Sequence, residues 1–289
     1  MRKSSVEAIL VGKVSSRADG EAPFNLIETE DLLAVEEPLE IRILYGEGKL
    51  RQQKSISVTM CTPGNDFELA RGFLFTEGII RGNNDILHTS TLSNNITPEN
   101  KDNIVLVELK QGIVFDPKKI ERHFYTSSSC GVCGKTSIGA VKNVFDHPPG
   151  KDSIRISSSV IVELPALLKK NQEIFFHTGG LHASALFDLN GNLLMTREDV
   201  GRHNALDKLI GAALAADDLP LDHHIVLLSG RASFELLQKA AMAGIRVICA
   251  VGAPSSLAVE MAKEFGITLI GFLRDNRFNI YSGEQRIIL

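Results

Sequence analysis

Apolar and polar residues alternate along Pro38-Leu39-Glu40-Ile41-Arg42-Ile43-Leu44 and again along Ser55-Ile56-Ser57-Val58-Thr59-Met60-Cys61. A period of two predicts strands with one wet face. Tyr45-Gly46-Glu47-Gly48-Lys49 is a turn signal between them. Thr62-Pro63-Gly64 stops the second strand. Asn65 with Glu68 three residues on has the spacing of a capping box, so a helix is expected to start there and to end at Gly78. Phe67, Ala70, Phe73 and Leu74 would form its apolar stripe. Further strands are expected at Asp85–Thr89 and Asn103–Leu109, and a short helix at Asp116–His123. Residues 1–30 are polar without a clear period and read as an arm or loose lead-in. This part of the chain predicts an α+β fold, with antiparallel strands and one main helix.

The later pattern differs. A helix is expected at Ile161–Lys170. Ala183–Asp188 and Leu193–Arg197 flank Leu189-Asn190-Gly191-Asn192, and Asn-Gly between two strands predicts a hairpin. Ala205, Leu206, Leu209, Ile210, Ala213 and Leu214 mark one face of a helix at Arg202–Ala215. A strand at Ile225–Leu228 is followed by two similar units. Each ends a helix, places a glycine after it (Gly244, Gly266), and starts a strand. Successive strand–helix–strand units predict a parallel sheet covered by helices, an α/β three-layer arrangement. The change of pattern suggests two domains, 1–125 and 126–289.

Composition narrows the function classes. The chain has 289 residues, 44% hydrophobic and 23% charged, ordinary for a globular protein and unlike disordered, collagenous or disulfide-scaffold chains. A net charge of −4 argues against a general nucleic-acid or anionic-membrane surface. No run of 18 apolar residues occurs, and Ala8–Val11 after Arg2-Lys3 is too short for a signal core. Four cysteines without an export signal suggest a reducing cytoplasm.

Cys130-Gly131-Val132-Cys133 is the sharpest chemical feature. Ser127–Lys135 is small, polar and glycine-rich, so it should be an exposed loop, and Lys135 could favour a thiolate. Three readings stand: a persulfide or disulfide-exchange centre, half of a zinc site lacking two ligands, or two surface thiols without a role. Cys61 and Cys249 fall in strand patterns and read as core residues. Ser229-Gly230-Arg231 and Gly252-Ala253-Pro254-Ser255-Ser256 follow parallel strands and open helices. Such loops lie where ligands bind in α/β sheets, and Arg231 adds a forked donor, although plain connecting loops have the same pattern. His177–His182 and Arg197–Asn204 concentrate groups able to bind an anion or orient a thiol, or simply structural histidines. Arg274-Asp275-Asn276-Arg277, between Phe272 and Phe278, is either a diphosphate grip or a charged hairpin turn.

Taken in order, several of these stretches resemble the formate dehydrogenase accessory sulfurtransferase family (FdhD/NarQ). They are Glu37–Arg42, Thr62-Pro63-Gly64 with Gly72–Gly78, Cys130–Lys135, Thr178–Ala183, Asp199–Ala205, Ser229-Gly230-Arg231, and Gly271-Phe272 through Asn279-Ile280-Tyr281. The resemblance runs from about residue 35 to the end. It implies a protein that takes sulfur from a cysteine desulfurase as a persulfide and passes it to the molybdenum (or tungsten) bis-guanine-dinucleotide pterin cofactor of formate dehydrogenase. Cys130 matches the persulfide carrier, with Cys133 as its second thiol. The cofactor-binding stretch falls on Phe272, Leu273, Arg274, Asp275, Asn276 and Arg277, to which the loop reading adds Arg231. The second domain would resemble the cytidine deaminase fold. The resemblance implies no structural metal, and a pseudo-symmetric cofactor suits a homodimer.

Two rivals remain. A cofactor chaperone would bind and deliver without sulfur transfer. A zinc deaminase needs an H-x-E pattern preceding P-C-x-x-C. Here Ser184 stands where that glutamate should be, Ser129 precedes Cys130, and the CxxC comes before His182.

Overall fold

The computed structural model describes residues 4–16, 24–92, 103–113, 115 and 153–289. The expected helix at Asp116–His123, the Cys130–Cys133 loop and the boundary at 125/126 lie outside the described residues.

The first finding corrects the sequence expectation. The N-terminal residues form a long antiparallel ribbon, β1 (Val6–Ser16) with β2 (Phe24–Ala34), in register from Val6↔Ala34 to Ser16↔Phe24. The pattern escaped notice because both ribbon faces are largely exposed, so burial imposes no clean alternation. β3 (Glu37–Tyr45), β4 (Gln52–Cys61), β5 (Ile86–Thr91) and β6 (Ile104–Leu109) form a four-stranded sheet in the order β4-β3-β6-β5. β3 and β6 pair in parallel, so this sheet is mixed rather than wholly antiparallel. α1 (Asp66–Thr76) covers it. The capping box does not form. Asn65 is left-handed at φ 60° and makes no side-chain cap. Asp66 accepts from Gly64 N instead, at 3.1 Å, and Glu68 is engaged by Arg197. The buried stripe of α1 is Leu69, Ala70, Leu74 and Phe75, while Phe67 is exposed.

The second sheet has six strands. β8 (His182–Phe187) and β9 (Leu193–Asp199) form the expected hairpin, and β10 (Ile225–Leu228), β11 (Val247–Ala250) and β12 (Thr268–Arg274) are parallel. β13 (Arg277–Ser282) returns antiparallel to β12, giving the order β13-β12-β11-β10-β8-β9. A short parallel pair, β7 (Ile156–Ser157) with β14 (Ile287–Ile288), closes the C-terminus.

The side chains of the sheet alternate between two cores, which makes three layers. Ile225, Leu227, Val247 and Cys249 face one side with Ile161, Leu164 and Leu168 of α2 (Ser158–Lys170). Val226, Leu228, Ile248 and Ala250 face the other, with α4 (Arg202–Ala215), α5 (Phe234–Met242) and α6 (Ser256–Glu264). A short helix α3 (Glu173–Thr178) leads into β8. That second core is continuous with the first sheet: Ile41, Ile43, Leu69 and Val107 belong to the same buried cluster as Leu206, Leu209 and Val226.

Candidate functional site

The parallel strands end at one edge, and their loops are stitched together there by backbone hydrogen bonds. Val251 N donates to Leu228 O, Gly252 N to Gly230 O, and Phe272 N to Gly252 O, each at 3.0 Å. The Ser229 hydroxyl accepts from Ala183 N at 2.8 Å and ties in the start of β8. Gly252 is required by this closeness, since a Cβ there would lie 3.0 Å from Gly230 O and 3.1 Å from Arg231 N. The loops after the parallel strands therefore meet at one edge of the sheet, the edge at which α/β sheets bind ligands in general, with Arg231 exposed upon it.

β12 extends beyond this edge into a hairpin with β13. Asp275 and Asn276 are both left-handed, at φ 53° and 56°, as a tight two-residue turn of the I′ type requires. This sets Arg274 directly opposite Arg277. Like charges facing each other across a strand pair repel, and among the described residues no carboxylate forms a salt bridge with either guanidinium. A register shift between Gly271 and Arg274, with Phe272 at φ 52°, swings the Phe272 ring outward to 37% exposure. A non-glycine residue at positive φ is strained, and bulges of this kind re-aim a side chain. Phe272, Arg274, Arg277 and Asn279 line a cavity of about 270 Å³, with the Arg274 guanidinium 6.0 Å from the Phe272 ring centre. A larger depression of about 760 Å³ shares Arg277 and Asn279 with it and is lined also by Asn276 and Phe278 with Ser158 and Val162 of α2. Leu273 differs from its neighbours: its side chain is buried in the core.

The polar stretch at Arg197–Asn204 serves the fold instead. Asp199 is fully buried and holds Lys208 at 2.7 Å. Its carboxylate also accepts from Thr62 N, Gly201 N and Asn204 Nδ2. Lys208 Nζ donates to Thr62 O at 2.8 Å, and Asn204 Nδ2 to Met60 O at 2.8 Å. This network fastens the end of β4 to the start of α4. A second network joins α1, α4 and α5: Lys239 Nζ meets Asp207 and the Thr76 hydroxyl, each at 2.9 Å, and Thr76 Oγ1 donates to Asp207 at 2.8 Å. Every charge is buried and paired, the condition under which buried ions are tolerated. Sequence reading missed Lys208, Asp207 and Lys239, because a lysine or aspartate inside an amphipathic helix pattern looks solvated.

The histidines divide. His203 Nε2 contacts Glu235 Oε2 at 2.9 Å, and that hydrogen bond holds the Glu235 carboxyl below its ordinary range. His182 sits under Gly230 on the ligand edge. Burial, then the nearby Arg202 and His203, push its pKa down. Cys61 and Cys249 are core residues, 2% and 0% exposed, and burial pushes both thiols up to about 12. Neither can supply a thiolate at neutral pH. Among the described residues no group of three or more His, Cys, Asp or Glu side chains could hold a metal ion, and no helix is long and apolar enough to cross a membrane.

The FdhD/NarQ family model matches residues 34–288. The chain belongs to the FdhD/NarQ family. Relatives named sulfur carrier protein FdhD include those of Streptomyces coelicolor, 46% identical over 265 residues and 90% of each chain, and of Mycobacterium tuberculosis, 46% identical over 91% of this chain and 94% of the relative. The archaeal relative from Sulfurisphaera tokodaii is 44% identical over 90% of this chain and 92% of its own. In fold, the chain matches a crystal structure of a Desulfotalea psychrophila protein assigned as a formate dehydrogenase accessory protein, with a TM-score of 0.68, 24% identity, and coverage of 97% and 99%. The family match covers the ligand edge, the β12–β13 turn and both buried networks.

Proposed function

We propose that this protein is a cytoplasmic sulfur carrier that loads Cys130 with persulfide sulfur and delivers it to the molybdenum (or tungsten) bis-guanine-dinucleotide pterin cofactor used by formate dehydrogenase. The observation that carries the cargo side is the Arg274/Arg277 pair: two opposed arginines with no partner carboxylate among the described residues, beside an outward-turned aromatic ring and at the loop edge of the sheet. Diphosphates suit forked guanidinium donors, and a flat heterocycle suits Phe272. Asn276 and Asn279 offer amides, and Arg231 extends the basic edge toward the other loops. Leu273 supports the strand from beneath. The net charge of −4 is no obstacle, because the basic site is local.

The chemistry needs a thiolate, and Cys61 and Cys249 are excluded by burial. Cys130 and Cys133 remain. In the loading step the Cys130 thiolate attacks the outer sulfur of the cysteine desulfurase persulfide, and the desulfurase thiolate leaves. Cys130 then bears S–SH. In delivery, Cys133 attacks the Cys130 sulfur, releases the outer sulfur as hydrosulfide to the cargo metal, and forms a disulfide that a cellular dithiol reduces. A two-fold pair of chains suits a cargo with two like halves. The division at 125/126 assigns the ribbon and first sheet to support, and the cytidine-deaminase-like half to thiols and cargo.

Deamination lacks support: Ser184, where a proton-shuttling glutamate would be needed, is 1% exposed inside the sheet. A chaperone that only binds cargo is separated by one experiment. In cells lacking their own carrier, Cys130→Ala should fail to restore formate dehydrogenase activity. Full restoration would remove Cys130 from the mechanism.

A further inference from the structure

Two helices start side by side after β9 and β10. α4 runs for 14 residues from Arg202 and α5 for 9 from Phe234, and neither start is capped by a side chain. His203 joins the two starts: its Nε2 lies 2.9 Å from Glu235 Oε2 and 3.4 Å from the Ser233 hydroxyl. Uncapped N–H groups and the helix dipoles make such starts attractive to an anion. Arg202 takes part in neither buried network, and among the described residues its guanidinium forms no salt bridge. The Arg202 charge reaches both of its polar neighbours. It adds to the burial that pushes the His182 pKa down, and to the His203 hydrogen bond that holds the Glu235 carboxyl low.

Three buried polar atoms around these starts have no hydrogen-bond partner among the described residues: Arg202 Nε, Glu235 Oε1 and Ser184 Oγ. Ser184 is 1% exposed. Its neighbours Ala183 and Ala185 face the α2 core and Leu186 faces the other, so the Ser184 side chain points to the α4 and α5 side, opposite Leu228 at the end of β10. His182 lies two residues earlier on that face, so close to Gly230 that a Cβ there would come within 3.2 Å of its Nδ1. Buried polar groups in folded proteins find partners. Here the unmet set is mixed: an obligate donor, an obligate acceptor and a hydroxyl that can be either. The helix starts and Arg202 favour negative charge, whereas Glu235 Oε1 needs a proton to accept. A small oxyanion that keeps a proton at neutral pH, such as hydrogen phosphate, meets both demands. Sulfate has lost that proton and would meet the carboxylate with lone pairs only. We propose that the paired starts of α4 and α5 form a site for a proton-bearing oxyanion, held by Arg202 and Ser184 and selected by Glu235, which His203 positions. The site is separate from the Arg274–Arg277 turn, which joins β12 to β13.

The test is calorimetric titration of the full-length protein with inorganic phosphate and with sulfate. Arg274→Ala with Arg277→Ala is the background, so that the hairpin cannot answer for the helix starts. Phosphate should bind at least about tenfold more tightly than sulfate, and should shift the NMR resonances of the His182 ring. Adding Arg202→Gln should weaken phosphate binding by about tenfold or more, the scale of a lost charged hydrogen bond. Glu235→Gln replaces an obligate acceptor with an amide that can also donate, so sulfate should then bind as well as phosphate. Thermal melting shows that each variant is folded, and the contrast between phosphate and sulfate needs no substitution at this site. Equal binding of the two ions, or binding of neither, before either substitution overturns the proposal. So does phosphate affinity unchanged by Arg202→Gln, or continued rejection of sulfate by folded Glu235→Gln protein.

Discussion

Gly72 of α1 and Gly211 of α4 lie against each other where the two helices cross: a Cβ added to Gly72 would lie 1.8 Å from Asp207 O, and one added to Gly211 would lie 1.8 Å from Glu68 O. Both atoms are backbone, so neither can turn away. This contact brings the helix on the first sheet against the helix under the second. It also sets Asp207 beside Thr76 and Lys239, completing one of the two buried networks.

Either Gly72→Ala or Gly211→Ala should therefore destabilise the protein by about 1–3 kcal/mol or more, as overpacking does. The double variant should cost less than the two single losses combined, because the first methyl already forces the helices apart. Denaturant midpoints of the three variants check this.

Asp207→Ala should cost about 3 kcal/mol, because it leaves the buried Lys239 ammonium with only the Thr76 hydroxyl and the longer, 3.3 Å contact to the half-buried Glu77 carboxylate. Removing both charges, with Asp207→Leu and Lys239→Met, should recover much of that loss. Equilibrium unfolding distinguishes a paired network from two unrelated contacts.

Much of the architecture is legible in the chain. The Asn190-Gly191 hairpin, the helix at Arg202–Ala215 and the strand–helix units ending at Gly244 and Gly266 follow from period and turn chemistry. The N-terminal ribbon does not, because period-two reading needs one buried face and this ribbon has none. The Asn65–Glu68 capping signal fails because Arg197, distant in sequence, claims Glu68. The Arg274–Arg277 turn is recognisable from its residues, but their direct opposition depends on the two-residue register. Asp199, Asn204 and His203 look like site residues in sequence, yet two of them fasten β4 to α4 and the third pairs with Glu235. A polar cluster before a helix has the same composition in either role.

Alkylation of the native protein at mildly alkaline pH should label Cys130 and Cys133 and spare Cys61 and Cys249. With thiols raised to about 12 by burial, the latter two carry almost no thiolate. Peptide mass spectrometry before and after unfolding should show them reacting only once the chain is denatured.

The His182 titration offers a pH readout of the ligand edge. Burial and the neighbouring positive charges favour its neutral ring, so its midpoint should lie below the ordinary histidine value. The sign for stability follows: the unfolded chain takes up this proton first, so the group destabilises the fold as pH drops through the unfolded value. A phosphate-bearing ligand at the edge should offset the positive neighbours and move the midpoint up. NMR of the His182 ring with and without GDP checks both statements, with ADP as the comparison for base preference.

The central claim separates sulfur loading on Cys130 from cargo binding at Arg274 and Arg277. Replacing both arginines with alanine removes charge-assisted bonds to phosphate but leaves the thiols intact. In that double variant, incubated with a cysteine desulfurase and cysteine, mass spectrometry should still find the extra sulfur on Cys130, while absorbance should show cofactor retention lost. Normal cofactor retention with impaired loading of Cys130 would contradict this division of roles.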